Sequence, residues 1–110
     1  MREICEYCLY EGPTEGYHQL CIPTITKLKL PKGSKVLSVL AEHHNGSFLI
    51  KAYVDKSDKT QQITKIIAMV TTGSSTEEDV GWCFLNSLVI STGAKDHPQI
   101  IPYHAYVKIC

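Results

Sequence analysis

The sequence predicts an all-β (or β-rich α+β) domain, a small antiparallel sandwich or barrel of about six strands with at most one short helical turn. Three observations carry this. From Thr24 onward, apolar residues recur with a period near two, as half-buried strands require. The apolar runs are short and are separated by clusters of Gly, Pro, Asn and Asp. No amphipathic helical pattern lies between the runs, which argues against alternating β–α units.

The elements follow in order. In TITKLKL, Leu28 and Leu30 share one face while Lys27 and Lys29 take the other. Pro31-Lys32-Gly33-Ser34 turns the chain into KVLSVLAEHH, and Asn45-Gly46 follows directly. That dipeptide tolerates the positive φ of a type I′ turn, so it predicts a hairpin into SFLIKAYVD. After the polar loop Asp55-Lys56-Ser57-Asp58-Lys59, QQITKIIAMVTTG becomes apolar on both faces and is expected at the centre of a sheet. WCFLNSLVIST and IIPYHAYVKI are the fifth and sixth strands, joined by a GAKDHPQ loop, with Pro102 marking an edge strand or a bulge. Ser75 and Glu78 have the spacing of a capping box, and Gly81 ends any helix after one turn.

A chain of 110 residues is expected to form a single domain, here 1–110, with 1–16 as an N-terminal extension and 17–110 as the β core. Eleven basic and eleven acidic residues balance, so no global field draws a DNA or RNA polymer or an anionic membrane. No apolar run approaches the roughly 20 residues of a spanning helix. Five cysteines, an odd number, and no secretory-signal pattern point to a reducing cytoplasm.

The opening CEYCLYEGPTEGYHQLC contains Cys5, Cys8, His18 and Cys21, two ligand pairs joined by a loop, which is how small zinc modules build a tetrahedral site. Against one shared site, His18 and Cys21 face opposite ways if 18–22 is a strand, because three steps at period two change sides. Buried thiols also serve as small apolar side chains. No cofactor is expected, with zinc left open at these four residues.

No catalytic constellation emerges, and the chain is read as a non-enzyme. Cys83 and Cys110 lack any nucleophile signature, and the adjacent His43 and His44 face opposite ways in a strand. The stretch Thr71, Thr72, Gly73, Ser74 and Ser75 offers hydroxyl and amide donors of the kind that hold a phosphate. The downstream Glu77, Glu78 and Asp79 oppose an anion, and a polar loop with a helix cap explains the same residues. Lys27 and Lys29 would neutralise phosphates or, more simply, protect an exposed edge. Tyr53, Tyr103, His104 and Tyr106 supply stacking and hydrogen-bonding material, although aromatic residues in strands are mostly core.

The segment from about residue 17 to 109 resembles a family of short phage and prophage proteins with no assigned reaction. The resemblance is carried by LPKGSKVLSV, the Asn-Gly hairpin, AYVD, a strand closing in a Thr-Gly loop, FLNSLVIST and a final strand starting near Pro102. That family has a Gly-Thr-Gly-His-Pro-like loop where this chain has Thr71-Thr72-Gly73-Ser74, and a histidine where this chain has Tyr106; Thr72 and Gly73 carry across. The CEYC extension is additional to the pattern. The resemblance implies a phage-encoded accessory protein in the cytoplasm of a bacterial host.

The expectation is therefore a homo-oligomeric binding protein that sequesters a small host molecule, foremost a nucleotide-derived immune signal. The competing expectation is a module that docks on a host or phage protein, by a zinc-stapled N-terminus or an exposed strand edge.

Overall fold

The computed structural model describes residues 3–13, 24–44, 46–73, 81–94 and 97–108. They form seven strands in chain order: β1 (Glu3–Pro13), β2 (Ile25–Pro31), β3 (Lys35–His44), β4 (Ser47–Lys56), β5 (Gln62–Thr71), β6 (Trp82–Ala94) and β7 (His97–Lys108). Two antiparallel sheets result, β1-β4-β3 and β2-β5-β7-β6. The architecture is an open sandwich and not a closed barrel. Among the described residues there is no helix, and so none long and apolar enough to cross a membrane. The capping-box residues Ser75 and Glu78 lie outside the described residues.

Each sheet buries one face against the other. Phe48, Ile50, Ala52 and Val54 alternate along β4 and are wholly buried, as a strand with one face in the core must be. Val36 and Val39 of β3 join them, and Leu30, Ile67, Met69, Leu88, Ile90 and Ala105 come from the four strands of the opposite sheet. Burying Phe48 or Ile50 contributes roughly 1.5–3 kcal/mol each relative to exposure.

Local chemistry decides the turns. The nitrogen of Ser34 donates to the Pro31 carbonyl at 3.0 Å with Gly33 at φ 88°, the geometry of a type II turn. This turn carries the chain from one sheet to the other. Ser57 hydroxyl donates to the Lys32 carbonyl, and the Ser57 nitrogen donates to Ser34 Oγ at 3.1 Å, so the two buried serines are satisfied where β4 exits. His44 pairs with Ser47 across a two-residue connection in which Gly46 has φ 80°, the predicted hairpin; Asn45 lies outside the described residues.

Three features differ from the sequence reading. Glu3–Pro13, read as an extension, is a strand paired to β4 along most of its length and brings the strand count to seven. The GAKDHPQ loop is largely absorbed into the β6–β7 ladder, which continues to Ala94 opposite His97. Strand β7 is internal, between β5 and β6, despite Pro102. Its ladder with β5 stops at Thr71 opposite Tyr103, one residue short of Pro102, so the proline falls where β7 pairs on one side only. As expected, β5 is internal, and Ile67, Ala68, Met69 and Val70 are buried consecutively.

Three bulges reset the alternation, at Leu9 in β1, Leu37 in β3 and Leu85 in β6. The last of these sits beside the seam between the sheets. There the Asn86 carboxamide meets the backbone of Val39: the Val39 nitrogen donates to Asn86 Oδ1 at 2.9 Å, and Asn86 Nδ2 donates to the Val39 carbonyl at 2.7 Å. Farther along, the Ser91 nitrogen donates to His43 Nε2 at 3.1 Å. Edge strands β3 and β6 are thus tied together, and the sandwich is closed on that side.

Candidate functional site

Strand parity sorts the candidate residues onto faces. In β5 the core residues are Ile67 and Met69, so Thr64, Ile66, Ala68 and Val70 belong to the other, outer face of the sheet, where Ala68 and Val70 are themselves buried. Their registered partners share that outer face: Ile25, Lys27 and Lys29 on β2, and His104 and Tyr106 on β7. On β6, Phe84 stands opposite Tyr106 before the Leu85 bulge, and Ser87 stands opposite His104 past it.

A hydrogen-bonded row crosses this face. Ser87 Oγ is 2.7 Å from His104 Nδ1, and Thr72 Oγ1 is 2.8 Å from His104 Nε2. A neutral imidazole has one donor and one acceptor nitrogen, so one hydroxyl donates to the ring and the other accepts from it. Each hydroxyl keeps further hydrogen-bonding capacity for a ligand. In the adjoining row, Phe84 and Tyr106 meet edge to face with centroids 5.4 Å apart, and Phe84 is 54% exposed. The next row holds Trp82 with Lys108, whose Nζ lies 5.7 Å from the ring centroid. Exposed Lys27 and Lys29 lie on β2 at the sheet edge.

The predicted residues therefore divide. Thr72, His104, Tyr106, Lys27 and Lys29 share the outer face of the four-stranded sheet. Thr71 takes the opposite parity, and Gly73 has φ 90°, turning the chain away from β5. Tyr103 is turned inward against the core, where burial, then the Tyr10 phenol, pushes its phenol up from the ordinary value. Tyr53 stands on the outer face of the other sheet, between Glu6 of β1 and Ser38 of β3. Ser74 and Ser75 lie outside the described residues.

Cys5 and Cys8 are three residues apart with no bulge between them, so they project from opposite faces of β1. Cys8 Sγ is 3.7 Å from the Tyr10 carbonyl. His18 and Cys21 lie outside the described residues, and among the described residues no cluster of three metal-ligating side chains occurs.

The outer face of the three-stranded sheet has a different character. Lys51 Nζ lies 2.7 Å from Glu42 Oε2 and 3.3 Å from Glu6 Oε2, bridging β3 and β1 across β4. The Lys51 hydrogen bond holds the Glu42 carboxyl below its ordinary range, and Glu42 in turn raises the Lys51 ammonium. Lys51 thus offsets two carboxylates on this face, while the Glu6 side chain stays 55% exposed beside the β1 edge.

Sequence reasoning missed Ser87 and Phe84. Counting by two from Phe84 sends Asn86 and Leu88 outward; the residue inserted at Leu85 reverses this and brings Ser87 to the face of His104. The chain matches no protein-family model, no curated protein sequence and no solved structure.

Proposed function

We propose that the protein is a non-enzymatic binder of a small nucleotide-like molecule, and that the outer face of the four-stranded sheet receives it. The observation that carries this reading is the hydrogen-bonded row Thr72–His104–Ser87 lying beside the exposed Phe84–Tyr106 pair. A planar base stacks on the aromatic pair, and sugar hydroxyls or phosphate oxygens meet the polar row. Lys27 and Lys29 supply positive charge on the same face without making the whole chain cationic. Together with the resemblance to phage proteins, this makes a nucleotide-derived immune signal of a bacterial host the leading ligand class and sequestration in that cytoplasm the role.

The test is native mass spectrometry of protein purified from bacteria, followed by calorimetric titration with mononucleotides and cyclic oligonucleotides. Retention of a nucleotide-sized mass that is released intact supports the reading. Failure of every nucleotide to bind at millimolar concentration, or release of a cleaved product, overturns it.

A second reading has its own observation. Ile25, Phe84, Val89 and Ile100 are all more than half exposed on this same face, an apolar surface suited to a protein partner.

A further inference from the structure

The two sheets are tied at β3 and β6, and among the described residues β1 and β2 are the edge strands on the opposite side of the sandwich, with no strand paired to their outer edges. These edges carry opposite charges. Strand β1 presents exposed Glu6 on its outer face, with exposed Glu3 and Glu11 nearer its two ends, whereas β2 presents exposed Lys27 and Lys29 on its outer face. Lysines on an edge repel a second lysine-bearing edge, yet they match an acidic one.

We propose that the protein forms a two-fold symmetric dimer in which β1 of each copy pairs with β2 of the other. Strand β1 runs parallel to β3, because both are antiparallel to β4, and the Pro31–Ser34 turn makes β2 run opposite to β3. A two-fold axis along the strands therefore sets β1 antiparallel to β2 of the second copy. The same operation forms both seams at once, so the contact closes and does not propagate into a fibre. Each three-stranded sheet then continues into the four-stranded sheet of the other copy.

The bulge at Leu9 limits regular pairing on β1 to Glu3–Cys8, six residues that match Ile25–Leu30 in length. Aligned end to end, this register sets Glu6 opposite Lys27 and diagonal to Lys29 on the outer face, with Cys8 opposite Ile25. On the inner face it sets Cys5 opposite Leu28 and Tyr7 opposite Thr26. Tyr7 and Leu28 are half-buried against the core of one copy, and the seam covers what is left of them. Thr26 Oγ1, buried without a partner among the described residues, sits beside this seam. The inference stands on the strand edges; it shares Lys27 and Lys29 with the ligand reading but uses neither the Phe84–Tyr106 pair nor the Thr72–His104–Ser87 row.

The test is sedimentation velocity over a range of concentrations, with far-ultraviolet circular dichroism confirming that each variant stays folded. The wild-type chain is expected at twice its 12.3 kDa mass. Lys27→Glu and Glu6→Lys each place like charges across both seams, and each is expected to raise the dimer dissociation constant at least tenfold. Mixed in equal amounts, the two folded variants restore opposite charges at both seams and re-form a one-to-one heterodimer. Ile25→Cys is expected to give an interchain disulfide with Cys8 of the second copy on mild oxidation, a product that Cys8→Ser abolishes. A wild-type chain that stays monomeric at every concentration, or folded charge variants that dimerise like wild type and fail to prefer each other, overturns the proposal. Phe84→Ala, which touches neither edge, separates the two ideas: it lowers ligand affinity and leaves the dimer intact.

Discussion

Asn86 of β6 makes two hydrogen bonds to the backbone of Val39 in β3, one to its nitrogen and one from its own amide to the carbonyl. A residue in an antiparallel strand points its N–H and C=O to the same side, and those of Val39 point away from β4. The carboxamide thus occupies the place a neighbouring strand would take, and one side chain fastens sheet to sheet. Replacing Asn86 by Ala leaves both part-buried backbone groups without a partner, at a cost of about 1–3 kcal/mol. Asn86→Asp keeps the acceptor but sets a carboxylate against the Val39 carbonyl, so it is expected to be no better than Ala. Urea denaturation measures both; an unchanged midpoint for either variant contradicts the role.

Gly12 is buried, and a Cβ built on it would lie 2.7 Å from Cε1 of Tyr10. The ring of Tyr10 lies across the glycine and packs on Phe48, with centroids 5.7 Å apart. Gly12→Ala must push this ring away, with an expected loss of roughly 1–3 kcal/mol. In the background of Tyr10→Ala the same substitution should cost far less, and a double-mutant cycle reads the coupling.

The Glu42–Lys51 pair makes stability depend on pH at both extremes. Glu42 is depressed below 4.5, so its contribution is present above that value and is lost as pH falls through the lower folded-state pKa. Lys51 is raised above 10.5, so its contribution is complete below that value and is lost as pH rises through the higher folded-state pKa. Thermal melts across pH are therefore expected to show a plateau between the two limits. Glu42→Gln should flatten the acid limb, and an acid limb identical to wild type would count against the pair.

Ligand affinity should follow the two outer rows. Phe84→Ala removes half of the stacking pair and is expected to weaken a nucleotide by about 1–3 kcal/mol. Ser87→Ala and Thr72→Val each remove one hydroxyl from His104 and are expected to weaken binding less, without changing the melting temperature by more than a few degrees. Calorimetric titration of the three variants reads this ranking. Tyr103→Phe, on the buried side of β7, should leave affinity unchanged.

Much of the fold is legible in the sequence because strand formation and turn formation are local. The alternation of Leu28 and Leu30 with Lys27 and Lys29 shows in the strand itself, and Gly33 and Gly46 sit where the backbone needs positive φ. The central position of β5 is visible in its five consecutive apolar residues, Ile66 to Val70. Strand β1 was hidden because the bulge at Leu9 breaks its alternation and its Cys and Tyr residues read equally well as ligands or core.

The sequence by itself determined that the chain folds as strands, where most of them turn, and which side chains between bulges share a face. Only the tertiary structure decided which strands are neighbours, how the sheets are fastened, and which of two adjacent residues meets solvent. Tyr103 and His104 follow one another in the chain, yet one packs into the core and the other joins Thr72 and Ser87 outside. The physical reason is that period two fixes only relative parity. Its absolute sense depends on which face is buried against the other sheet, and each bulge reverses it through contacts between residues far apart in sequence.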